Sequence, residues 1–581
     1  MLNIDEFVLI YGFVESTILI PTFEGGIGYK QTLFACFPSR LTFPEGTMTK
    51  TLRVVLLMLL QLQFLRASVG EPTTPRSPVS RPYKVLILGP VGTRSLYHLT
   101  RSLSEALGDA GHSVTLVSTF GPSSRHHNVT EMSSGAPVGY LEDFNIFDYR
   151  GPFDGFDWVN AAVTKIGHKM WNDEGIKKLW EKRNEFDAIV MISFINEIAA
   201  PFLLDYNGVY ISFCTPGVEF FSIGHQGNWL PISVVPSIVL PFDDRMSFFE
   251  RVVNPLTTMA YIIIYRWKTT YLAQTIVDQY FPGVMPPVEE LYEKSHLTLI
   301  NEHFALNGPV PLLPTQVEVG TINAKPPKPL EKDLEEFFEA SGDAGVIYFS
   351  LGSIVRGKDM PSVYKVMFLE AFRRLPQRVV WKYEGDDLVN DLPTNVIIKK
   401  WLPQQDILGH PKTRLFISHC GNLGTQEAKY HGVPVLAVPV AFDQSRNAAR
   451  MARKGFGLVL NWEDMSADAI FDAVQTLLTD PSYATRIKQV SEAIKDQKET
   501  PAERAVWWIE YVIRAHARNS SSLEYAGKRL YFLQYIMMDV IVFWVAVLIL
   551  WTVAFYYICK CVYSCCIGGR REKIEKKKKV A

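Results

Sequence analysis

Cysteine is scarce: there are seven in 581 residues, and Cys559, Cys561, Cys565 and Cys566 crowd the last 23. Cys36 lies near the start. Only Cys214 and Cys420 fall in the body, far apart, so no disulfide framework is indicated. No paired CxxC and no HExxH spacing occurs, so no metal site is expected. A charge surplus is also missing, with 59 Lys plus Arg against 60 Asp plus Glu, which argues against a general nucleic-acid binder. Gly (38) and Pro (35) are near average, so collagen-like and low-complexity classes fall away. What is present is 48% hydrophobic and 20% charged residues, which fits neither a disordered chain nor a polytopic membrane protein. The length exceeds one core and implies two or three domains.

Two apolar runs stand near the ends. Val540 to Ile558 carries no charge over nineteen residues, roughly 28 Å as a helix, the thickness of a bilayer core. Residues 536–558 are therefore expected to form one transmembrane helix. Lys560, Arg570, Arg571, Lys573 and Lys576 to Lys579 follow, so 559–581 reads as a basic cytoplasmic tail behind a lumenal body, a single-pass type I arrangement. Val54 to Leu65, preceded by Lys50 and Arg53 and followed by Ala67, Ser68 and Gly70, has the layout of a signal peptide over 48–70. Either translation starts at Met48, leaving 1–47 as an upstream extension, or the leader is unusually long. Lys578 and Lys579 resemble a dilysine endoplasmic-reticulum retrieval signal; the plainer reading is a stop-transfer tail. The sequons at Asn128 and Asn519 suit a lumenal glycoprotein, and the tail cysteines are candidates for palmitoylation.

Between these ends, short β-rich runs alternate with helical patterns. Val85 to Leu88, Val114 to Ser118 and Ala188 to Ile192 read as strands in the first half. Val346 to Ser350, Val379 to Trp381, Val396 to Ile398, Leu415 to Ser418 and Val435 to Val438 read as strands in the second. Helices are expected over Leu96 to Leu107, from about Asn196, over Lys365 to Arg374 and over Thr425 to His431. This is the pattern of α/β architecture: two Rossmann-like, doubly wound domains over 71–323 and 324–530, facing a cleft. Ala324 to Leu330, with three prolines, is the linker. Phe242 to Trp267 is aromatic and amphipathic, fit either for core or for membrane contact.

The segment from Trp401, WLPQQDILGHPKTRLFISHCGNLGTQEAKYHGVPVLAVPVAFDQSRNAARM, resembles the donor-binding signature of the UDP-glycosyltransferases, in particular the membrane-bound, UDP-glucuronosyltransferase-like branch. The resemblance extends to GVIYFSLGSIV at Gly345 to Val355 and AVWWIEYV at Ala505 to Val512. It implies a GT-B fold whose C-terminal domain binds a UDP-sugar as co-substrate, with no further cofactor. The residues carried over are Trp401 and Gln404 for the uridine, and Glu427 for the ribose. Ser353, His419, Gly421, Asn422 and Gly424 are carried over for the diphosphate and its loop, and Asp443 and Gln444 for the sugar. A glycine-bearing turn into a helix N-terminus suits a diphosphate. The implied reaction is inverting transfer of a hexosyl or glucuronosyl group to a small lipophilic acceptor, of the detoxification or conjugation type. Homo- or hetero-oligomers with related enzymes are possible partners.

The catalytic dyad departs from the family. Its His belongs sixteen residues before His112, where Leu96 stands, and its Asp falls near Ile192, with Glu197 the next carboxylate. His98 is the nearest histidine, but a two-residue shift turns a helical side chain by about 200°. Three readings stay open. His98 replaces the base; or the acceptor ionises without one; or the chain is a non-catalytic UDP-sugar binder that partners an active relative.

Overall fold

A computed structural model describes residues 81–135, 145–148, 155–388, 391–520 and 523–580; the side chains of 566 and 568–580 are not among them. The extension and signal peptide expected over 1–70 lie outside the described residues.

Two parallel sheets form the body. The first runs β3-β2-β1-β4-β5-β6-β7: β1 Lys84–Gly89, β2 Ser113–Ser118, β3 Val129–Ser133, β4 Ala188–Ile192, β5 Val209–Cys214, β6 Leu297–Ile300 and β7 Gln316–Glu318. The second runs β10-β9-β8-β11-β12-β13: β8 Val346–Ser350, β9 Arg378–Lys382, β10 Val396–Lys399, β11 Thr413–Ser418, β12 Val435–Ala437 and β13 Gly457–Val459. In each sheet the strand order reverses beside the first strand, so the crevice for a ligand opens at the carboxyl ends of the strands. The central strands are buried on both faces, as VLIL and VIYFS demand.

The helices that matter for the cleft are α1 (Arg94–Asp109), α2 (Gly155–Asn172), α3 (Phe248–Tyr265), α4 (Tyr271–Tyr280), α5 (Gln404–Gly409), α6 (Asn422–His431) and α7 (Gln444–Arg453). The loop from β1 to α1 is pinned by a reciprocal pair: the Val91 N–H donates to Asn196 Oδ1 at 2.8 Å, and Asn196 Nδ2 donates back to Val91 O at 3.0 Å. From about Asn196 an α-helix was expected; the chain instead forms a 3₁₀ segment, Glu197–Leu203, containing Pro201.

The assignment of everything from 324 to 530 to the second domain needs correction. Helix α8 (Pro501–Ala517) crosses back and packs Ala505, Ile509, Val512 and Ile513 with Val85, Ile87 and Leu299 of the first sheet. Its Glu510 meets His112 at 3.2 Å, and Arg504 donates to Glu318 O at 3.1 Å. The last helix, α9 (Met538–Val580), has one stretch, Met538–Cys565, long and apolar enough to cross a membrane, with none of it buried. Asn519 is exposed after α8, with φ +50°. Asn128 is half-buried, and its Nδ2, the atom a glycan would join, donates to Gly108 O at 2.9 Å.

Candidate active site

The cleft between the sheets divides into two compartments. One, about 240 Å³, is mostly apolar; Leu96, Phe156 and Ile238 face His419, Asp443 and Gln444 across it. The other, about 360 Å³, is lined by Trp401, Gln404, Glu427, Ser353, Lys382 and His98.

On the C-terminal side, β11 delivers the chain into a tight loop, His419-Cys420-Gly421, and then into α6. Cys420 holds φ +61°, a conformation disfavoured for a side-chain-bearing residue, and its carbonyl is held by Asn447 Nδ2 at 3.0 Å. Gly421 caps α6 without a side chain, so this helix N-terminus is open to an anion, with the Asn422 N–H turned to the Asp443 carboxylate. Glycine is required at Gly352: its φ is +89°, and a Cβ there would meet His419 Cε1 at 2.5 Å. Beside it, Ser353 Oγ and His419 Nδ1 are buried without protein partners, on residues that line the two compartments. Burial, with the nearby Lys382 charge, lowers His419 to about 3, so it is a neutral hydrogen-bonding group and a poor base.

Trp401 follows β10 with its ring 57% exposed and the Arg94 guanidinium 5.7 Å above it. Gln404 opens α5 and donates Nε2 to Glu427 Oε2 at 2.6 Å, while Asn323 Nδ2 reaches Glu427 Oε1 at 2.9 Å. Burial pushes the Glu427 carboxyl up to about 7. Both its oxygens thus already accept amide hydrogens, leaving their other lone pairs for a ribose. Asp443 begins α7, bonded by Asn447 Nδ2 at 2.7 Å and raised by burial above the usual carboxylate value. Gln444 Oε1 takes the N–H groups of Val440 and Ala441 at 2.8 and 3.0 Å, which leaves its NH₂ for a ligand.

Asn422 behaves differently from its expected role. Its side chain reaches across to Thr215 O at 3.2 Å and Asn301 O at 3.4 Å of the first half, and its backbone N–H is directed at the Asp443 carboxylate. Lys382 and Asn323 were not expected. Lys382 Nζ donates to Gly352 O at 2.8 Å and pairs with Glu384, placing a cation behind the phosphate loop. A lysine closing a buried strand, β9, was the available signal.

On the N-terminal side the altered dyad is corrected in detail. Helix α1 starts at Arg94, capped by Thr93, so Leu96 sits in its first turn on the apolar compartment and His98 turns to the other one. Burial, with Arg101 and Arg94, lowers the His98 pKa. Ile192 is 1% exposed, and a Cβ at Gly89 would meet its Cδ1 at 2.7 Å, so it packs beneath the β1 turn. Glu197 is fully buried, takes the Tyr265 hydroxyl at 2.5 Å and is raised by burial to about 7. Among the described residues, the titratable groups on the apolar compartment are His419, Asp443 and Tyr261.

The family described as UDP-glucoronosyl and UDP-glucosyl transferase matches residues 156–579. UDP-glucosyltransferase 2 of Dactylopius coccus is 31% identical over 503 residues, which is 85% of this chain and 96% of that protein. UDP-glucuronosyltransferase 2B10 of Homo sapiens is 34% identical over 400 residues, 68% of this chain and 72% of that one. A solved UDP-glucosyltransferase from Polygonum tinctorium covers 75% of this chain and 99% of its own at 15% identity and TM-score 0.53, a likeness of fold. The chain belongs to the UDP-glycosyltransferase family, has the GT-B fold, and its chemistry is sugar transfer from a UDP-sugar.

Proposed function

We propose that this member of the UDP-glycosyltransferase family moves a hexosyl or glucuronosyl group to a small lipophilic acceptor, inverting the anomeric carbon in one displacement. The observation that carries the reading is the compartment with Asp443, Gln444 and His419 on one wall and apolar side chains on the other. In this reading Trp401, Gln404 and Glu427 hold the uridine. Ser353, His419 and the α6 N-terminus take the diphosphate, and Asp443 with Gln444 orients the sugar hydroxyls. The α6 N–H groups also stabilise the departing UDP.

Burial lowers His419 to about 3 and raises the Tyr261 hydroxyl, so neither is a base near neutrality, and Asp443 is assigned to the sugar hydroxyls. The acceptor therefore arrives ionised. Its anionic oxygen attacks the anomeric carbon, the bond to UDP breaks, and UDP leaves with the electron pair. Positioning alone supplies a large share of such a rate. Microsomes carrying the chain, given phenols of graded acidity and several UDP-sugars, are expected to conjugate the most acidic phenols fastest. Rates indifferent to acidity would remove this account of the missing base. The non-catalytic reading is the weaker one, because the donor loop keeps its strained and uncapped geometry.

We further propose that α9 anchors the chain in the endoplasmic-reticulum membrane, with the body lumenal. Its charge-free stretch and the basic residues behind it support this.

A further inference from the structure

A helix on the surface of a soluble body buries its apolar stripe and shows charge to water. Helix α3 departs from that rule by being apolar on both sides. Its inner face packs Tyr261, Ile264 and Tyr265 into the first core and anchors polar groups there: Asn254 Nδ2 donates to Ile232 O and Val235 O at 2.8 and 2.9 Å, and Tyr265 donates to Glu197. Its outer face carries Phe249 at 77% exposure and Leu256 at 70%, with Val252, Met259 and Ile263 also exposed. No charge occurs from Val252 to Tyr265. A π-turn, Arg266–Thr270, carries the helix on into α4, and the stripe closes with Trp267 at 70% and Tyr271 at 68%. From Phe248 to Tyr271 the face runs about 35 Å at the helical rise.

Apolar exposure of this kind is confined. Among the described residues before Leu530 and outside 248–271, the exposed large apolar side chains are Trp229, Val234, Val284, Phe304, Val363, Val366 and Trp401. Two of these bridge α3 to the anchor. The Trp229 ring lies 5.1 Å from Phe532, at the root of α9. Val234 belongs to the turn that Asn254 of α3 holds. The turn that Asn254 holds, residues 231–235, thus follows directly on Trp229 and its contact with Phe532, which sets α3 near the root of α9. The inner side of the same segment forms the acceptor chamber, through Ile238, Val239 and Tyr261.

We propose that the outer face of α3, ending in Trp267 and Tyr271, lies in the interface of the bilayer that holds α9. An apolar face uncharged from Val252 to Tyr265, with Arg251 and Arg266 at its two limits and aromatic ends, is what an interfacial helix presents to lipid. It places the acceptor chamber one helix away from the lipid, so acceptors dissolved in the membrane have a short lateral path to it. The proposal rests on the membrane anchoring of α9.

The test uses the full chain in phosphatidylcholine vesicles containing a lipid with a photoactivatable group in its acyl chain, with adducts mapped by mass spectrometry. Lipid adducts are expected on peptides from both α9 and 248–271. In a Phe249→Ser, Leu256→Ser, Met259→Ser variant, adducts on 248–271 should fall roughly tenfold or more while those on α9 stay. Unchanged UDP affinity in that variant shows that it is folded. Wild-type adducts confined to α9 would overturn the proposal, as would cross-links joining 248–271 of two copies in place of lipid adducts. Absence of adducts on α9 as well would remove the anchoring reading along with it.

Discussion

On the C-terminal wall of the cleft, polar groups are left without protein partners. Ser353 Oγ and His419 Nδ1 have none, and α6 starts without a side-chain cap. On the N-terminal wall, Leu96 stands at the position where the resemblance implies a base, Ile192 near the implied acid packs beneath the β1 turn, and the buried carboxylate nearby, Glu197, is held by Tyr265 behind the chamber. One wall is chiefly made of directions and the other chiefly of shape, with Thr215 Oγ1 and Asn301 Oδ1 as unpartnered polar atoms of the second. Directional recognition needs particular atoms at particular places. An apolar chamber accepts many residue combinations of similar volume.

The largest effect should come from giving the second wall a direction. Leu96→His together with Ile192→Asp is expected to raise turnover of weakly acidic phenols by roughly 10²–10⁴-fold, the usual worth of a positioned base. Ile192→Asp alone buries an unpaired carboxylate and should lower the thermal midpoint instead. A double variant no faster than wild type would mean that the missing dyad does not limit the rate.

Next in size are changes that blunt the first wall. His419→Ala and Asp443→Ala should each weaken UDP-sugar binding by about 1–3 kcal/mol. Calorimetry with UDP alone separates them: His419→Ala should weaken UDP too, and Asp443→Ala should leave it nearly unchanged. Equal losses for UDP in both variants would blur the division between diphosphate and sugar groups.

A smaller contrast compares two buried glutamates, one on each side. Glu427 and Glu197 are both raised to about 7, from about 4.5, chiefly by burial. Each therefore favours the fold at pH below about 4.5, and that contribution is lost as pH rises through about 7. Glu427→Gln and Glu197→Gln should each flatten the fall in thermal midpoint across that window. Only Glu427→Gln should also weaken UDP-sugar binding. The smallest effect is expected from His98→Ala, whose ring lines the nucleoside-side compartment: less than about tenfold in turnover, against the 10²–10⁴ that a base would cost. A larger loss would return His98 to the chemistry.

The same contrast explains what the sequence disclosed. The donor loop was legible because SHCGNLG must leave a strand, turn and open a helix within seven residues, which leaves few spacings. The helix begins at Asn422, three residues before Thr425, because the uncapped first turn carries no apolar periodicity. Strands β1, β2, β4, β8 and β11 were legible from their apolar runs; β5 and β6, equally buried, and the short β13 were missed. Strand β3 was not legible, since its side chains are half-exposed or exposed and include Glu131, and β7 has three residues. Asn323 and Lys382 escaped because they reach the site from another segment and another strand. The cross-domain bonds of Asn422 escaped because the partner carbonyls lie more than a hundred residues away. The return of α8 to the first sheet was hidden because an amphipathic helix does not announce which sheet it covers.

That return has a mechanical consequence. The chain passes between the two halves twice, once through the extended Ala324 to Leu330 and once through the short stretch between Lys495 and Pro501. Two pivots define an axis. Together with the bonds of Asn422 to Thr215 O, Gln426 to Asn301 O and Arg446 to Val218 O, they resist sideways slippage of one half along the other. The two walls are therefore held in one register. An acceptor chamber with few directional contacts of its own can still meet the sugar in a repeatable register.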